Sequence, residues 1–207
     1  MARRQRTHPF WPALYVWDFI SPHKDLILCL SFQTDPTAEF TMNQTQNYIK
    51  SLSDITYLED EEHVIHVDLG NEMEKQEIRF YGTPWTRLHG KPGKAFQIPQ
   101  TELKEKWDKI PSNVDILVSH MPPHGILDTN DGCPDLLKTV TERAKPKIHV
   151  FGHFHTAYGT KIQDETLFLN AASMKRKATG AEGDQGVNPP IVVDYCLKTF
   201  NLDIVKS

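Results

Sequence analysis

The chain has 207 residues, 39% of them hydrophobic and 24% charged, with a formal net charge of -4. That is enough apolar material for one sizeable core, and the mildly acidic balance excludes the global basic field expected of a nucleic-acid binder. Cys29, Cys133 and Cys196 are scattered with no C-x-x-C pair, which excludes a disulfide framework or thiolate zinc knuckle and favours a reducing, cytoplasmic compartment.

In chain order, residues 1–40 read as an atypical, poorly specified N-terminal segment, rich in Arg, Pro and Trp to about residue 24. Its basic start leads into an apolar stretch broken by Pro12 and Asp18, which does not make a signal peptide. The apolar run within residues 26–32 is of buried-strand type and far too short to span a bilayer. Residues 41–207 read as the folded domain. A helix of modest quality is predicted over 42–52, then strands at 56–58 and 64–67 around an acidic turn at 59–62. A strand at 77–82 stops at Gly82-Thr83-Pro84, and a Gly/Pro loop covers 85–99. Thr101 is placed to N-cap a helix running to Lys109, with Leu103 and Trp107 on one face. Residues 114–118 predict a buried strand, 135–144 a helix with Leu136, Leu137 and Val140 inward, and 147–151 the next strand. Strand, helix, strand at this spacing is a β-α-β unit, so at least part of the sheet is parallel. Strands at 157–161, 166–170 and 191–205 read as antiparallel, with a basic then Gly-rich loop over 175–188. The class is α/β with a mixed sheet.

Ligands of α/β proteins collect at the carboxyl ends of parallel strands. Two such ends carry histidine: Ser119-His120-Met121-Pro122-Pro123-His124-Gly125 and Gly152-His153-Phe154-His155. Neighbouring strands lie about 5 Å apart, so His120, His153 and His155 can converge on one coordination sphere or two adjoining ones. Imidazole is a common ligand of zinc, iron and nickel, and the pattern points to a metal site. His149 lies inside a strand and is expected to be packed there, whereas His63, His66 and His89 look structural or solvated.

Ser119-His120 with Pro122-Pro123, then Gly152-His153-x-His155, resembles the last two signature blocks of calcineurin-like metallophosphoesterases. The likeness extends to the metallophosphoesterase-domain (MPPED-type) subfamily. Tyr81-Gly82-Thr83-Pro84-Trp85, Val114-Asp115-Ile116-Leu117-Val118-Ser119-His120, His149-Val150-Phe151-Gly152-His153 and Val187-Asn188-Pro189-Pro190-Ile191 carry it over about residues 52–195. The resemblance implies a β-sandwich of two mixed sheets flanked by helices, here with its N-terminal part incomplete. It also implies two divalent metals (Mn, Fe, Zn or Ni) that promote in-line attack on a phosphoester. His120 and His153 would ligate one metal and His155 the other. Gly82, Trp85 and His124 would line the substrate side.

Three blocks of that family have no recognisable counterpart in this chain: an early D-x-H, a G-D whose Asp bridges the metals, and a G-N-H that supplies the catalytic histidine. No histidine lies between His23 and His63. Asp18 with His23 is too widely spaced for D-x-H, Ser31-Phe32 stands where Gly-Asp is expected, and Gly70-Asn71-Glu72 reads as a turn. Asp35 could approach the site, and the basic group Lys175-Arg176-Lys177 reads as an exposed loop that could attract anionic substrate. Two dications about 4 Å apart repel by roughly 16 kcal/mol at an effective dielectric near 20, and neutral histidines alone do not offset that. At most one metal is therefore expected here. The expected function is a metal-dependent hydrolase of phosphomonoesters or nucleotide phosphodiesters, impaired in this chain. The alternative is a catalytically inactive, truncated or pseudo-phosphoesterase that acts by binding. The expected partners are a phosphoester or nucleotide small molecule, with no nucleic-acid polymer and no membrane, and with an oligomer or partner covering exposed sheet edges.

Overall fold

The computed structural model describes residues 42–53, 55–68, 75–88, 96–173, 175, 186–196 and 201–205, with short backbone segments at 14–15, 19–20, 26–28 and 31–32. Asp18, His23, Asp35, Gly70, Asn71, Glu72, His89, Arg176 and Lys177 lie outside the described residues. The apolar run at 26–32 divides between two ladders. β1 (Leu14–Tyr15) pairs with β4 (Ser31–Phe32), and β2 (Phe19–Ile20) pairs with β3 (Leu26–Leu28). β3 then runs parallel to β5 (Ile55–Tyr57), reached through helix α1 (Met42–Lys50).

The site is positioned by a six-stranded sheet. β6 (Glu61–Asp68) and β7 (Lys75–Thr83) form an antiparallel ladder, and β10 (Ile116–Ser119), β11 (Ile148–Phe151), β12 (Gly159–Gln163) and β13 (Thr166–Asn170) complete the order β12-β13-β11-β10-β7-β6. β13, β11, β10 and β7 are mutually parallel, with antiparallel β12 and β6 at the edges. The four central strands thus bring their carboxyl ends to one rim. β13 corrects the sequence reading: it pairs antiparallel with β12 but parallel with β11, a long-range partner that its own residues do not reveal. Between Thr86–Arg87 (β8) and Gln97–Ile98 (β9) a short parallel bridge interrupts the predicted loop.

Strands buried on both faces should be almost wholly apolar, and every residue of β10, β11 and β13 is buried. On one face Ile116, Val118, Ile148, Val150, Leu167 and Leu169 pack with Leu58 and with Val193 of β14 (Val192–Cys196), whose hairpin partner is β15 (Asn201–Val205). This layer is strand material, giving the sandwich-like arrangement that the resemblance implied. On the other face lie α2 (Gln100–Trp107) and α3 (Pro134–Lys138), the latter continued by a π-helical turn over Thr139–Ala144. Leu103, Trp107, Leu136 and Val140 are fully buried there with Leu117, Phe151 and Phe168, whereas Leu137 is only partly covered. Thr101 is not the N-cap. The cap lies two residues earlier at Pro99, extended and without a side-chain capping bond, and its carbonyl accepts from Glu102 N–H at 3.0 Å.

Candidate metal centre at the sheet rim

Each parallel strand contributes to the rim just past its last residue. His120 extends the ladder by one position: its N–H donates to the Thr83 carbonyl at 3.3 Å, and its carbonyl accepts from Gly152 N–H at 3.3 Å. The backbone of His120 is therefore fixed by β7 on one side and β11 on the other, and its side chain is largely buried. One strand over, His153 takes φ = 68°, the left-handed region that non-glycine residues rarely adopt. That turn swings its ring back towards His120. Nε2 of His120 and Nδ1 of His153 stand 2.9 Å apart, with the ring centroids at 4.9 Å and the planes at 77°.

Two imidazole nitrogens held on one divalent cation at about 2.1 Å and near right angles lie about 3 Å apart, so this pair fits two neighbouring positions of a single ion. Without an ion, the N–H of one ring donates to the bare nitrogen of the other. Binding requires both facing nitrogens to be bare, with His120 protonated on Nδ1 and His153 on Nε2. His155 opens the short 3-10 turn His155–Ala157. Among the described residues no group of three His, Cys, Asp or Glu side chains gathers as a metal-holding set. The structure thus brings His120 and His153 together without forming a triad with His155.

The strand ends on either side complete the rim. At the end of β13, the fully buried Asn170 amide donates to the Leu127 carbonyl at 2.9 Å and to the Phe154 carbonyl at 3.0 Å. It ties the loop after β10 to the loop after β11. At the end of β7, Gly82 is buried because Leu58 crosses it: a Cβ added there would stand 2.3 Å from Leu58 Cβ. Trp85 follows, half-buried. Its indole N–H donates to Asp60 at 2.9 Å, its ring has Lys106 Nζ 3.7 Å from the centroid, and Phe96 meets it edge-on at 5.5 Å. Asp60 also accepts from Thr83 Oγ1 at 2.8 Å and from Lys106 Nζ at 3.1 Å. This carboxylate fixes the Trp85 side chain, yet in sequence it belongs to an acidic turn that looks solvated. Next to it the buried Tyr81 hydroxyl stays protonated, its pKa raised by burial and then by the charges of Asp60 and Glu61.

His124 lies in the loop that returns from β10 to α3, half-exposed, with Nδ1 3.7 Å from the buried carboxylate of Asp128. Burial alone would raise the pKa of Asp128, but N–H donors from Gly125, Gly132 and Asn130, together with His124, bring it below the usual carboxylate value. His149 is packed in the core, as its strand position implied. Its Nε2 is 2.9 Å from Ser119 Oγ, and burial pushes its pKa down to about 3.

In open α/β sheets, ligand sites lie outside the carboxyl ends of the parallel strands, which is where His120 and His153 meet. No family model matches the chain. Metallophosphoesterase domain-containing protein 1 of Homo sapiens is 36% identical over 156 residues, covering 72% of this chain and 42% of that protein. The Mus musculus protein of the same name matches to the same extent, and a UPF0046 protein of Caenorhabditis elegans is 40% identical over 166 residues, covering 75% of this chain and 37% of its own. The chain belongs to this MPPED-type metallophosphoesterase family, and it spans under half the length of these curated relatives. Among solved structures, the protein TT1561 of Thermus thermophilus overlaps 79% of this chain and 64% of its own with a TM-score of 0.42 at 11% identity, too loosely to bear on function. No helix among the described residues is long and apolar enough to cross a membrane.

Proposed function

We propose that the chain is a metal-dependent phosphoric ester hydrolase acting on a phosphomonoester or nucleotide phosphodiester in a cytoplasmic setting. One observation carries the reading: two imidazole nitrogens 2.9 Å apart at the carboxyl ends of adjacent parallel strands, one of them in a strained left-handed conformation. Strain of that kind persists only where the surrounding structure enforces it, and it concentrates at functional sites. A divalent ion held by His120 and His153 would supply Lewis-acid polarisation of the phosphoryl oxygens. The residues do the rest. Asn170 keeps the two histidine loops in register, the Trp85 indole forms a rigid apolar wall beside the rim, and the buried flank on His120 limits water on that side. His155 as a second ligand, and Gly82, Trp85 and His124 as substrate contacts, belong to the same proposal.

Hydrolysis of a nitrophenyl phosphoester in the presence of Mn²⁺ tests it. Activity in the wild type that disappears in His153→Ala supports the reading, and a folded but inactive wild type overturns it. One metal ion per chain is the expected stoichiometry, and two tightly bound ions would overturn the single-ion assignment. A second reading, a pseudo-phosphoesterase that acts by binding, is favoured by Ser31-Phe32 standing where the family has Gly-Asp and by Gly70-Asn71-Glu72 carrying no histidine. It gains if the folded chain takes up Mn²⁺ or inorganic phosphate without turning over the ester.

A further inference from the structure

His153 sits at the centre of a three-residue turn. Phe154 N–H donates across it to the Gly152 carbonyl at 2.7 Å, and φ at His153 is 68°. A positive φ spanned by an i to i+2 hydrogen bond marks the rare, strained form of the γ-turn. A residue that carries a Cβ stays in such a turn only when the surrounding structure imposes it. On the entry side the sheet does so, because Gly152 N–H donates to the His120 carbonyl at 3.3 Å. On the exit side the chain has left the sheet: β11 ends at Phe151 and a 3-10 turn begins at His155.

A single side chain from the next strand holds that exit. Asn170 ends β13 in register with Phe151, and Ala171 N–H donates to the Phe151 carbonyl at 2.9 Å, so its backbone is fixed against β11. From there Asn170 Nδ2 donates to the Phe154 carbonyl at 3.0 Å and to the Leu127 carbonyl at 2.9 Å. Its Oδ1 accepts from Ala172 N–H at 3.1 Å. The orientation of the amide follows from these partners: nitrogen faces two carbonyls and oxygen faces an N–H. Leu127 is left-handed as well, with φ of 50°. One amide nitrogen therefore grips two loops, each at or just beyond a residue in this conformation. The side chain is wholly buried, and a buried amide is tolerated only when its polar atoms are bonded, as they are here.

We propose that Asn170 is a positioning residue: by holding the Phe154 carbonyl it keeps His153 in the left-handed turn, and so sets the affinity of the His120–His153 pair for a divalent cation. This rests on the metal reading above. Both amide protons are directed at backbone carbonyls, so Asn170 acts through the backbone of the loop.

Asn170→Asp tests it, since the carboxylate keeps the shape of the side chain and the acceptor for Ala172 but removes the donors. In the folded variant, Mn²⁺ titrated by calorimetry should bind with a Kd about 10–100-fold higher than in the wild type, the loss typical of an outer-shell partner. Without metal, the NMR couplings that report φ at His153 should give a positive angle in the wild type and a negative one in the variant. The ring signals of His149, inside β11, should stay where they are. Equal Mn²⁺ affinity, or a φ that stays positive in the variant, overturns the role of Asn170 and leaves the metal reading standing. A wild type that takes up no Mn²⁺ overturns both. Should the variant not fold, hydrogen exchange in the wild type decides. The side-chain amide protons of Asn170 should exchange at least roughly 100-fold more slowly than those of the exposed Asn47. Exchange at the exposed rate would mean that the clamp does not form, and the proposal would fall.

Discussion

His149 and His153 come from the same strand and its exit, four residues apart, and have opposite chemistry. His149 lies in a row across the helix-facing side of the sheet, in register with Leu117 on one neighbour and Phe168 on the other, and the rings of Phe151 and Phe168 are 5.0 and 5.8 Å away. Ser119 Oγ donates to the Met121 carbonyl at 2.7 Å, so it accepts from His149, which fixes the proton on Nε2. Its Nδ1 is buried with no hydrogen-bond partner among the described residues. His153, past the strand end, faces another imidazole instead of a hydroxyl and occupies backbone space that favours glycine. A histidine within the strand is absorbed by the core, and one just beyond it is placed at the rim. Burial and backbone conformation separate the two fates, whereas residue type does not.

The largest expected effect breaks this contrast directly. His153→Ala should lower Mn²⁺-dependent hydrolysis by more than about 100-fold, beyond the range typical of losing an outer-shell partner, with little change in the urea midpoint at pH 7. His149→Leu should act the other way, on stability and its pH dependence. The folded-state pKa of His149, about 3, lies below its unfolded value near 6.5, so between those limits the unfolded chain binds more protons. Its contribution is complete above about pH 6.5 and is lost as pH falls, amounting to about 2 kcal/mol between pH 7 and pH 5. Urea titrations at the two pH values should show that loss in the wild type and a flatter dependence in His149→Leu. Equal slopes in the two proteins would mean that His149 is not the buried neutral group described here.

Beside the histidines, Asp60 sharpens the comparison between a polar group that serves structure and one that serves the rim. Asp60→Ala strands the Trp85 indole N–H and the Lys106 ammonium, and should cost about 1–2 kcal/mol by thermal or urea unfolding. If Trp85 contacts substrate as proposed, KM for the ester should rise more than kcat falls. A pure stability loss with unchanged kinetics would remove Trp85 from the substrate side.

Much of this was legible in the sequence for specific physical reasons. β10 and β11 are short apolar runs flanking a helix, so their parallel pairing follows from the handedness and length of the connection. The histidines at their ends then had to be neighbours. His149 was recognisable as a core residue from its place between two apolar residues. The orientation of β13 was not legible, because its parallel partner β11 lies across the His153 loop and nothing within residues 166–170 encodes it. Asp60 was missed because an aspartate among glutamates at a turn looks solvated; only its φ of 56° and the return of Trp85 and Lys106 from distant elements bury it. Asn170 escaped for the same reason. Its two acceptors are backbone carbonyls 43 and 16 residues away, and carbonyls leave no mark on a sequence.

The smallest effect tests the strain at the rim. At φ = 68° any side chain with a Cβ costs roughly 1–2 kcal/mol relative to glycine, part of which glycine gives back through the entropy of the unfolded chain. His153→Ala retains the strained backbone without the imidazole, whereas His153→Gly relieves it. The two variants should be equally inactive, and the glycine variant should be the more stable of the two by about 1 kcal/mol in urea. If alanine proves the more stable, the left-handed turn does not persist in solution, and the 2.9 Å approach of His153 to His120 that depends on it goes too.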